Sequence, residues 1–137
     1  MKKNILVADD DIDVITFVST VLEKIGYKVT GAKDGEEALS KIKSNKPDLI
    51  ILDILMPKQS GIKMYRELKT HESLKDIPVV ILSAISKRTF LRSQEALTEF
   101  GGEAVPEPEV YIEKPVEPED LAQTVREVLP AIATPAR

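Results

Sequence analysis

Short apolar runs alternate along the chain with longer segments in which apolar residues recur every three or four positions. The run from Asn4 to Ala8 predicts a buried strand, and a helical stripe follows it. Gly26 ends this predicted helix, because glycine tolerates the left-handed conformation found after many helices. The stripe consists of Ile15, Val18, Leu22 and Ile25. Further strands are predicted at 27–30, 48–53, 77–83 and 110–112, and further helices after 34, over 62–70 and 87–100, and from 118 onward.

The third predicted strand indicates the fold class. Residues 49–52 are continuously apolar, which is typical of a strand buried on both faces. Five strands alternating with five helices predict an α/β protein with a parallel sheet and helices on both faces. The acidic, proline-containing segment 102–109 is expected to be a loop, and residues 130–137 a short tail.

Two of the predicted helices carry more detailed expectations. Asp34 is the expected N-cap of the second helix, with Glu37 three residues later as in a capping box. In the fourth helix we expect Phe90, Leu97 and Phe100 to point inward.

Composition excludes several classes of protein. The 137 residues are 42% hydrophobic and 31% charged with a net charge of −4, so we expect one globular domain over 1–129 and no direct DNA binding. Cysteine is absent and histidine occurs once, which excludes disulfides, thiolate catalysis and a multi-histidine metal site within one chain. No apolar run approaches the ~20 residues of a membrane span. We therefore expect a cytoplasmic protein without membrane insertion.

Polar side chains follow four of the predicted strands, at the sheet edge where open α/β folds bind ligands. In chain order they are Asp9 and Asp10, Asp53, Ser83, and Lys114. A single aspartate after a strand is often only a helix cap, and that interpretation stays open for Asp9, Asp10 or Asp11 taken singly. Asp53 is harder to explain as a cap, because a carboxylate within an apolar run costs free energy unless it is paired or metal-bound.

Taken together, these side chains predict phosphoryl-transfer chemistry. Carboxylates that converge at strand ends repel each other and need a cation, and hard oxygen ligands select Mg²⁺ or a similar ion. Asp53 would attack phosphorus and form an acyl phosphate. Lys114 would neutralise charge on the transferred oxygens and Ser83 would donate a hydrogen bond.

The same residues lie in motifs that resemble those of bacterial two-component response-regulator receiver domains. The motifs are ILVADD at 5–10, LDILMP at 52–57 with Gly61, VILSA at 80–84 and YIEKP at 111–115. The resemblance covers residues 5 to about 129. It implies a flavodoxin-like, doubly wound five-stranded parallel sheet of order 2-1-3-4-5, and a signalling switch rather than an enzyme acting on outside substrates.

The resemblance also implies a role for each site residue. Asp53 would be the phosphoacceptor, with Mg²⁺ (or Mn²⁺) held by Asp10, Asp53 and the Leu55 carbonyl, and with Asp9 acting largely through coordinated water. Lys114 would pair with the phosphoryl group, beside a cis bond to Pro115, and Met56, Pro57 and Gly61 would shape the loop over the site. Ser83, Ala84 and Tyr111 would form the switch. The phosphoryl donor would be a sensor histidine kinase or a phosphotransfer protein, and a further protein would read the output.

Other functions remain as alternatives. The chain is expected to be a stand-alone receiver, because residues 130–137 cannot hold an output domain; a receiver module excised from a longer regulator or hybrid kinase is the alternative. A Mg²⁺-dependent aspartyl phosphatase is disfavoured, because those enzymes carry a second Asp two residues after the nucleophile and this chain has Leu55. No Gly-x-Gly-x-x-Gly motif follows the first strand, which argues against dinucleotide binding.

Two further features concern the length of one loop and the lifetime of the phosphoryl group. Ser83 and Lys114 lie 31 positions apart, longer than is usual for receivers, and we place the excess at 102–109. This insertion is either a tolerated surface loop or a partner-contacting loop, the latter suggested by Glu103, Glu107 and Glu109. The resemblance places Leu55 and Ile85 at positions where receivers vary in their rate of dephosphorylation. Both are apolar and cannot orient an attacking water, which predicts a relatively long-lived phosphoryl group.

Overall fold

The computed structural model describes residues 2–56 and 60–130 and contains the five strands and five helices that the sequence predicts. The strands are β1 (Asn4–Ala8), β2 (Lys28–Ala32), β3 (Leu49–Leu52), β4 (Val79–Ser83) and β5 (Val110–Glu113). The helices are α1 (Ile12–Lys24), α2 (Gly35–Ser44), α3 (Gly61–Thr70), α4 (Lys87–Glu99) and α5 (Pro118–Val128). Residues 57–59 and 131–137 lie outside the described residues, and with them Pro57 and most of the expected tail.

All five strands run parallel in the order β2-β1-β3-β4-β5, which confirms the predicted topology. Leu52 at the end of β3 pairs with Ala8 in β1 and with Ile81 in β4. The carboxyl ends of these three central strands therefore lie together at one edge of the sheet. This edge is where the sequence places its polar side chains.

Successive strand residues enter two separate hydrophobic cores, one on each face of the sheet. In β3, Ile50 and Leu52 face the core covered by α2, α3 and α4, whereas Leu49 and Ile51 face the core covered by α1 and α5. All four side chains are at most 1% exposed. Full burial of each contributes about 1.5–3 kcal/mol, so the apolar run of β3 is the centre of the fold.

Side chains cap the helices much as the sequence predicts. The Asp34 carboxylate accepts a hydrogen bond from the Glu37 N–H at 2.8 Å, and the Glu37 carboxylate accepts one from the Lys33 N–H at 2.7 Å. In an ordinary capping box the glutamate accepts the N–H of the N-cap residue itself. Here Glu37 accepts the N–H of Lys33, the residue before the N-cap Asp34, so the pair is a variant of the capping box. Gly26 has a φ of 106° and follows α1, as predicted.

The expected inward position of Phe100 is wrong, because its side chain is 89% exposed. The buried stripe of α4 passes through Phe90 and Gln94, and ten residues after Phe90 a helix has turned away from that stripe. The helix also ends at Glu99, and Gly101 with a φ of 99° redirects the chain. The other differences are small: β2 begins one residue later than predicted and extends to Ala32, and Ile25 is half-buried beyond the end of α1.

The expectation of a loop at 102–109 is confirmed, since this segment has no helix or strand. None of the described helices is both long enough and apolar enough to cross a membrane.

Candidate phosphorylation site

The three consecutive aspartates after β1 occupy different environments. Asp9 is 2% exposed, and its carboxylate accepts a hydrogen bond from the Asp11 N–H at 2.9 Å. Asp11 is the N-cap of α1, because its carboxylate accepts the Asp13 N–H at 2.9 Å. Asp10 is exposed. The capping interpretation therefore holds for Asp11 and leaves Asp9 and Asp10 for the site.

Asp53 follows β3 and lies beside Asp9. Its backbone N–H continues the sheet by donating to the Ala8 carbonyl at 2.9 Å. The side chain is 5% exposed, and its Oδ1 accepts a hydrogen bond from the Leu55 N–H at 3.2 Å. Carboxylate oxygens of Asp9, Asp10 and Asp53 all lie within 4.8 Å of one another. Residues that are 43 positions apart in the chain thus form one acidic cluster, as predicted.

Lys114 supplies the positive charge of this cluster. Its Nζ lies 2.8 Å from Asp9 Oδ2 and 3.4 Å from Asp53 Oδ2. The Lys114–Pro115 peptide bond is cis, and the Lys114 N–H donates to the Ser83 carbonyl at 2.9 Å, which extends the β4–β5 pairing. The lysine is therefore held by the backbone on the side of the site opposite β1.

Burial and charge act in opposite directions on the ionisable groups. Burial raises the pKa of Asp9 above its ordinary value, although the hydrogen bonds from Lys114 and from the Asp11 N–H lower it in part. Burial alone would lower the pKa of Lys114, but the hydrogen bond to Asp9 and the charge of Asp53 raise it further, so the net direction is upward. The Lys114 ammonium is consequently charged at neutral pH.

Ser83 and Tyr111 meet at the backbone of Ile85. Ser83 is fully buried, and its hydroxyl oxygen accepts a hydrogen bond from the Ile85 N–H at 3.2 Å. The Tyr111 hydroxyl donates to the Ile85 carbonyl at 2.5 Å. The ring of Tyr111 packs against Phe90 in α4, with the ring centroids 5.5 Å apart. One residue between β4 and α4 thus joins the serine at the site to the tyrosine in β5.

Gly61 allows the start of α3 to approach the site. A Cβ built on Gly61 would lie 2.4 Å from the Asp53 carbonyl oxygen and 2.5 Å from the Cα of Ile54. Both neighbours are backbone atoms, so neither can rotate away. Any larger residue at position 61 would push α3 and the Asp53 loop apart.

Comparison with known proteins identifies the family and the fold. The family described as Response regulator receiver domain matches residues 5–126. The chain belongs to this receiver family. CheY4, the chemotaxis response regulator of Vibrio cholerae, superposes with a TM-score of 0.79 at 28% identity, over 94% of this chain and 100% of CheY4.

The sequence relatives of this receiver are longer proteins. It is 43% identical over 84 residues to PhoP, the alkaline phosphatase synthesis transcriptional regulatory protein of Bacillus subtilis, covering 61% of this chain and 34% of PhoP. It is 37% identical over 128 residues to a Porphyridium aerugineum protein named "Probable transcriptional regulator ycf27", covering 93% of this chain and 48% of that protein. The receiver thus spans between a third and about half of the length of these relatives.

The donor set of this receiver fits a hard divalent cation. Among the described residues, three carboxylates face the Lys114 ammonium, so these four side chains together carry a net negative charge. All three offer oxygen, the ligand atom that Mg²⁺ and Mn²⁺ prefer, and Asp10 is exposed so that water can complete the coordination. Asp9, Asp10 and Asp53 could therefore hold the ion together.

Two predicted site residues contribute differently from the rest. Leu55 contacts Asp53 through its backbone N–H, and its side chain is 55% exposed beside the acidic cluster. Ala84 is exposed and makes no side-chain hydrogen bond, as its methyl group dictates.

Sequence reasoning did not identify Ile85 as a junction, because its backbone makes the contacts and its side chain gives no signal. It also did not identify Tyr65, whose ring packs edge-on against Phe90 with the centroids 5.3 Å apart. The signal that could have found this contact is that Tyr65 in α3 and Phe90 in α4 are aromatic residues at inward positions of neighbouring helices.

Proposed function

We propose that this receiver accepts a phosphoryl group on Asp53 and signals the change through protein–protein contacts. The main support is the position of the Asp53 carboxylate, which is 5% exposed, lies within the acidic cluster and is 3.4 Å from the Lys114 ammonium. A nucleophilic oxygen, positive charge and a metal-binding donor set are thus present at one strand edge. No outside substrate is required, so the protein acts as a switch.

The proposed phosphoryl transfer uses these groups as follows. An Asp53 oxygen attacks phosphorus of a phosphohistidine, the new O–P bond forms as the P–N bond breaks, and the imidazole nitrogen leaves with the electron pair and takes up a proton. A divalent cation bound by the carboxylates would supply charge neutralisation at the transferred oxygens. Lys114 supplies the remaining positive charge, and Ser83 supplies a hydroxyl donor.

In this proposal the ligand roles differ among the acidic residues. Asp10, Asp53 and the carbonyl of Leu55 bind the ion directly, whereas Asp9 acts through coordinated water. The hydrogen bonds that Asp9 makes to Lys114 and to the Asp11 N–H occupy both of its oxygens, which supports that indirect role.

Phosphorylation would then change the backbone around Ile85. The phosphoryl group adds about −1.5 to −2 charges and three acceptor oxygens beside Ser83 and Lys114. If the Ser83 side chain rotates to donate its hydroxyl hydrogen to a phosphoryl oxygen, its oxygen leaves the Ile85 N–H. The Ile85 carbonyl that accepts from Tyr111 belongs to the same residue and would move with that backbone. The result is a shift between two pre-existing conformations of β4, α4 and β5.

The phosphoryl donor in this proposal is a histidine kinase or phosphotransfer protein, and residues 1–129 act as one receiver domain. The names of the relatives describe transcriptional regulators; the output of this chain is proposed to be protein contact rather than direct DNA binding. Its net charge of −4 supports that choice.

Intact-mass spectrometry tests the phosphorylation site. The full chain, incubated with Mg²⁺ and acetyl phosphate, is expected to gain the mass of one phosphoryl group, and Asp53→Asn is expected to gain none. Asp11→Asn is the matched control, because Asp11 lies in the same loop but caps α1 outside the acidic cluster. Equal mass gain in wild type and Asp53→Asn would refute the assignment.

A further inference from the structure

The inserted segment 102–109 is tied to α3 and β4 rather than detached from the domain. The Tyr65 hydroxyl donates to the Pro106 carbonyl at 2.5 Å, and the Arg66 guanidinium donates to the Glu103 carbonyl. Glu109 is held against the domain, because its carboxylate accepts the Val79 N–H at 2.7 Å and lies 3.5 Å from the Nζ of Lys69, which is itself buried. Glu109 therefore has a structural role, in contrast to the partner contact suggested by its sequence.

The insertion and the C-terminal half of α4 enclose a groove of about 440 Å³. Leu91 of α4 and Val105 of the insertion are half-buried and give the groove an apolar floor. Glu95, Glu99 and Glu107 line its sides and are exposed. The 89% exposed ring of Phe100 follows directly after Glu99.

The exposed charges along this groove are negative, although the Arg66 guanidinium contacts its lining residues Gln94 and Thr98 and the first half of α4 carries three basic residues. Residues 93–109 contain five glutamates and no lysine or arginine. Of the five helices, α4 alone has no basic residue in its last turn, where cations are favourable. Among the described residues, Glu95, Glu99 and Glu103 have no ion-pair partner within 4 Å, and the pair of Glu107 with Lys87 is solvent-exposed.

We propose that this groove binds a basic amphipathic segment of a partner protein. An apolar side chain of the partner would contact Leu91 and Val105, while lysine or arginine residues on either side would face Glu95 and Glu99. Such a segment would match both the apolar floor and the acidic sides of the groove. A purely apolar segment would match only the floor, and an acidic segment would be repelled by the glutamates.

The groove is connected to the phosphorylation site by packed aromatic rings. Tyr111 contacts Phe90 with the centroids 5.5 Å apart, and Phe90 contacts Tyr65 at 5.3 Å. Tyr65 then donates its hydroxyl hydrogen bond to the insertion, while Tyr111 donates to Ile85 beside Ser83. Displacement of Tyr111 is thus transmitted through Phe90 to the wall of the groove. This coupling rests on the proposed function, whereas docking itself does not.

Peptide binding to the full chain tests the docking surface. The probe is a fluorescent amphipathic lysine–leucine peptide of about 15 residues, compared with a peptide of the same composition whose order removes the apolar face. We expect wild type to prefer the amphipathic peptide, and Glu95→Gln/Glu99→Gln to weaken its binding about threefold to tenfold, the range for two exposed ion pairs. Val105→Thr, which keeps the side-chain shape, should also weaken it.

A matched double variant controls for net charge. Glu23→Gln/Glu36→Gln removes two exposed helical carboxylates from α1 and α2 and should bind like wild type. Equal affinities in the two double variants would overturn the docking surface. Sedimentation would also overturn it in favour of a second copy of the chain, if it shows a wild-type dimer that Glu95→Gln/Glu99→Gln abolishes.

The coupling is tested by the same peptide after phosphorylation with acetyl phosphate and Mg²⁺. We expect the wild-type affinity to change by about threefold or more, and Tyr65→Phe to reduce this change while gaining phosphoryl mass normally. An affinity that is unchanged in fully phosphorylated wild type would overturn the coupling and leave docking standing. If Asp53 gains no phosphoryl mass, the proposed function is refuted, and the coupling with it. The docking surface is still tested in that case, because the peptide affinity of Glu95→Gln/Glu99→Gln is measured without phosphorylation.

Discussion

Asp9, Asp10 and Asp11 are identical side chains with three different tasks. Asp9 is buried and paired with Lys114, Asp10 is exposed at the acidic cluster, and Asp11 caps α1. One helix cap requires one side chain, so the sequence predicts that some of these three aspartates have another role. It cannot assign the cap, because that depends on where the first turn of α1 begins, and α1 begins at Ile12.

Gly61→Ala is expected to destabilise the domain and weaken phosphorylation. The added Cβ would lie 2.4 Å from the Asp53 carbonyl oxygen, so α3 or the Asp53 loop must shift. We expect a loss of about 1–3 kcal/mol in the free energy of unfolding, measured by urea denaturation. Gly101→Ala is the contrast: it is strained by its φ of 99° but has no neighbour within 4 Å, so phosphorylation should be normal. Wild-type stability in Gly61→Ala would contradict the predicted clash.

Leu55→Asn is expected to shorten the lifetime of the phosphoryl group. The Leu55 side chain is 55% exposed beside the acidic cluster and cannot orient water, whereas an amide can donate and accept hydrogen bonds there. The half-life of the acyl phosphate is measured by intact mass after removal of acetyl phosphate. Leu55→Met serves as the apolar control and should decay at the wild-type rate. A half-life unchanged by asparagine would contradict this role.

At the scale of elements, the strands and inward helix stripes are predictable because each depends on local periodicity. All five strands lie within about two residues of their predicted limits, and Phe90 is buried as expected. The direction of the Phe100 side chain was less predictable than the end of α4, which lies one residue before its predicted limit. Phe100 is apolar, but ten residues after Phe90 it lies off the buried stripe of the helix.

Glu109→Ala is expected to destabilise the junction of α3, β4 and the insertion. The Lys69 side chain is 4% exposed, and without Glu109 its ammonium would have no carboxylate partner and would keep its hydrogen bonds to carbonyls. The Val79 N–H would also lose the Glu109 carboxylate as its acceptor. We expect a loss of about 1–3 kcal/mol by urea denaturation. Glu107→Ala, whose ion pair is exposed, should change stability by less than about 0.5 kcal/mol. Equal effects of the two variants would contradict the role of Glu109 as the partner of the buried Lys69 ammonium.

At the scale of the whole molecule, the site exists because a parallel sheet brings strand ends together. Asp9 follows β1, Asp53 follows β3 and Lys114 follows β5. The Lys114 Nζ lies within hydrogen-bond distance of both carboxylates. Alternation of strands and helices predicts this convergence in general. The distances, and the junction of Ser83 and Tyr111 at Ile85, required the structure because they depend on how β4 and β5 are aligned.

The three tyrosines are expected to titrate late. Burial raises the pKa of Tyr111 to about 12, aided by the charges of Glu113 and Asp53, and burial also raises the pKa values of Tyr27 and Tyr65. The folded state thus favours the protonated phenols. Their contribution to stability is complete below the unfolded value near pH 10 and is lost as pH rises through about 12 for Tyr111.

Ultraviolet absorbance of tyrosinate measures this directly, since the chain has no tryptophan. Folded protein should show its transition at higher pH than urea-unfolded protein, and Tyr111→Phe should remove the component near pH 12. Superimposed folded and unfolded curves would contradict the burial of the phenols.

The contacts at Ile85 have an evolutionary consequence. Ser83 and Tyr111 bind the N–H and carbonyl of this residue, groups that every amino acid except proline possesses. The two switch contacts therefore make no demand on its side chain beyond the exclusion of proline, and the packing of that side chain against the core is what limits its size. The residue that joins the serine to the tyrosine can thus change its side chain, within the space the core allows, without loss of either hydrogen bond.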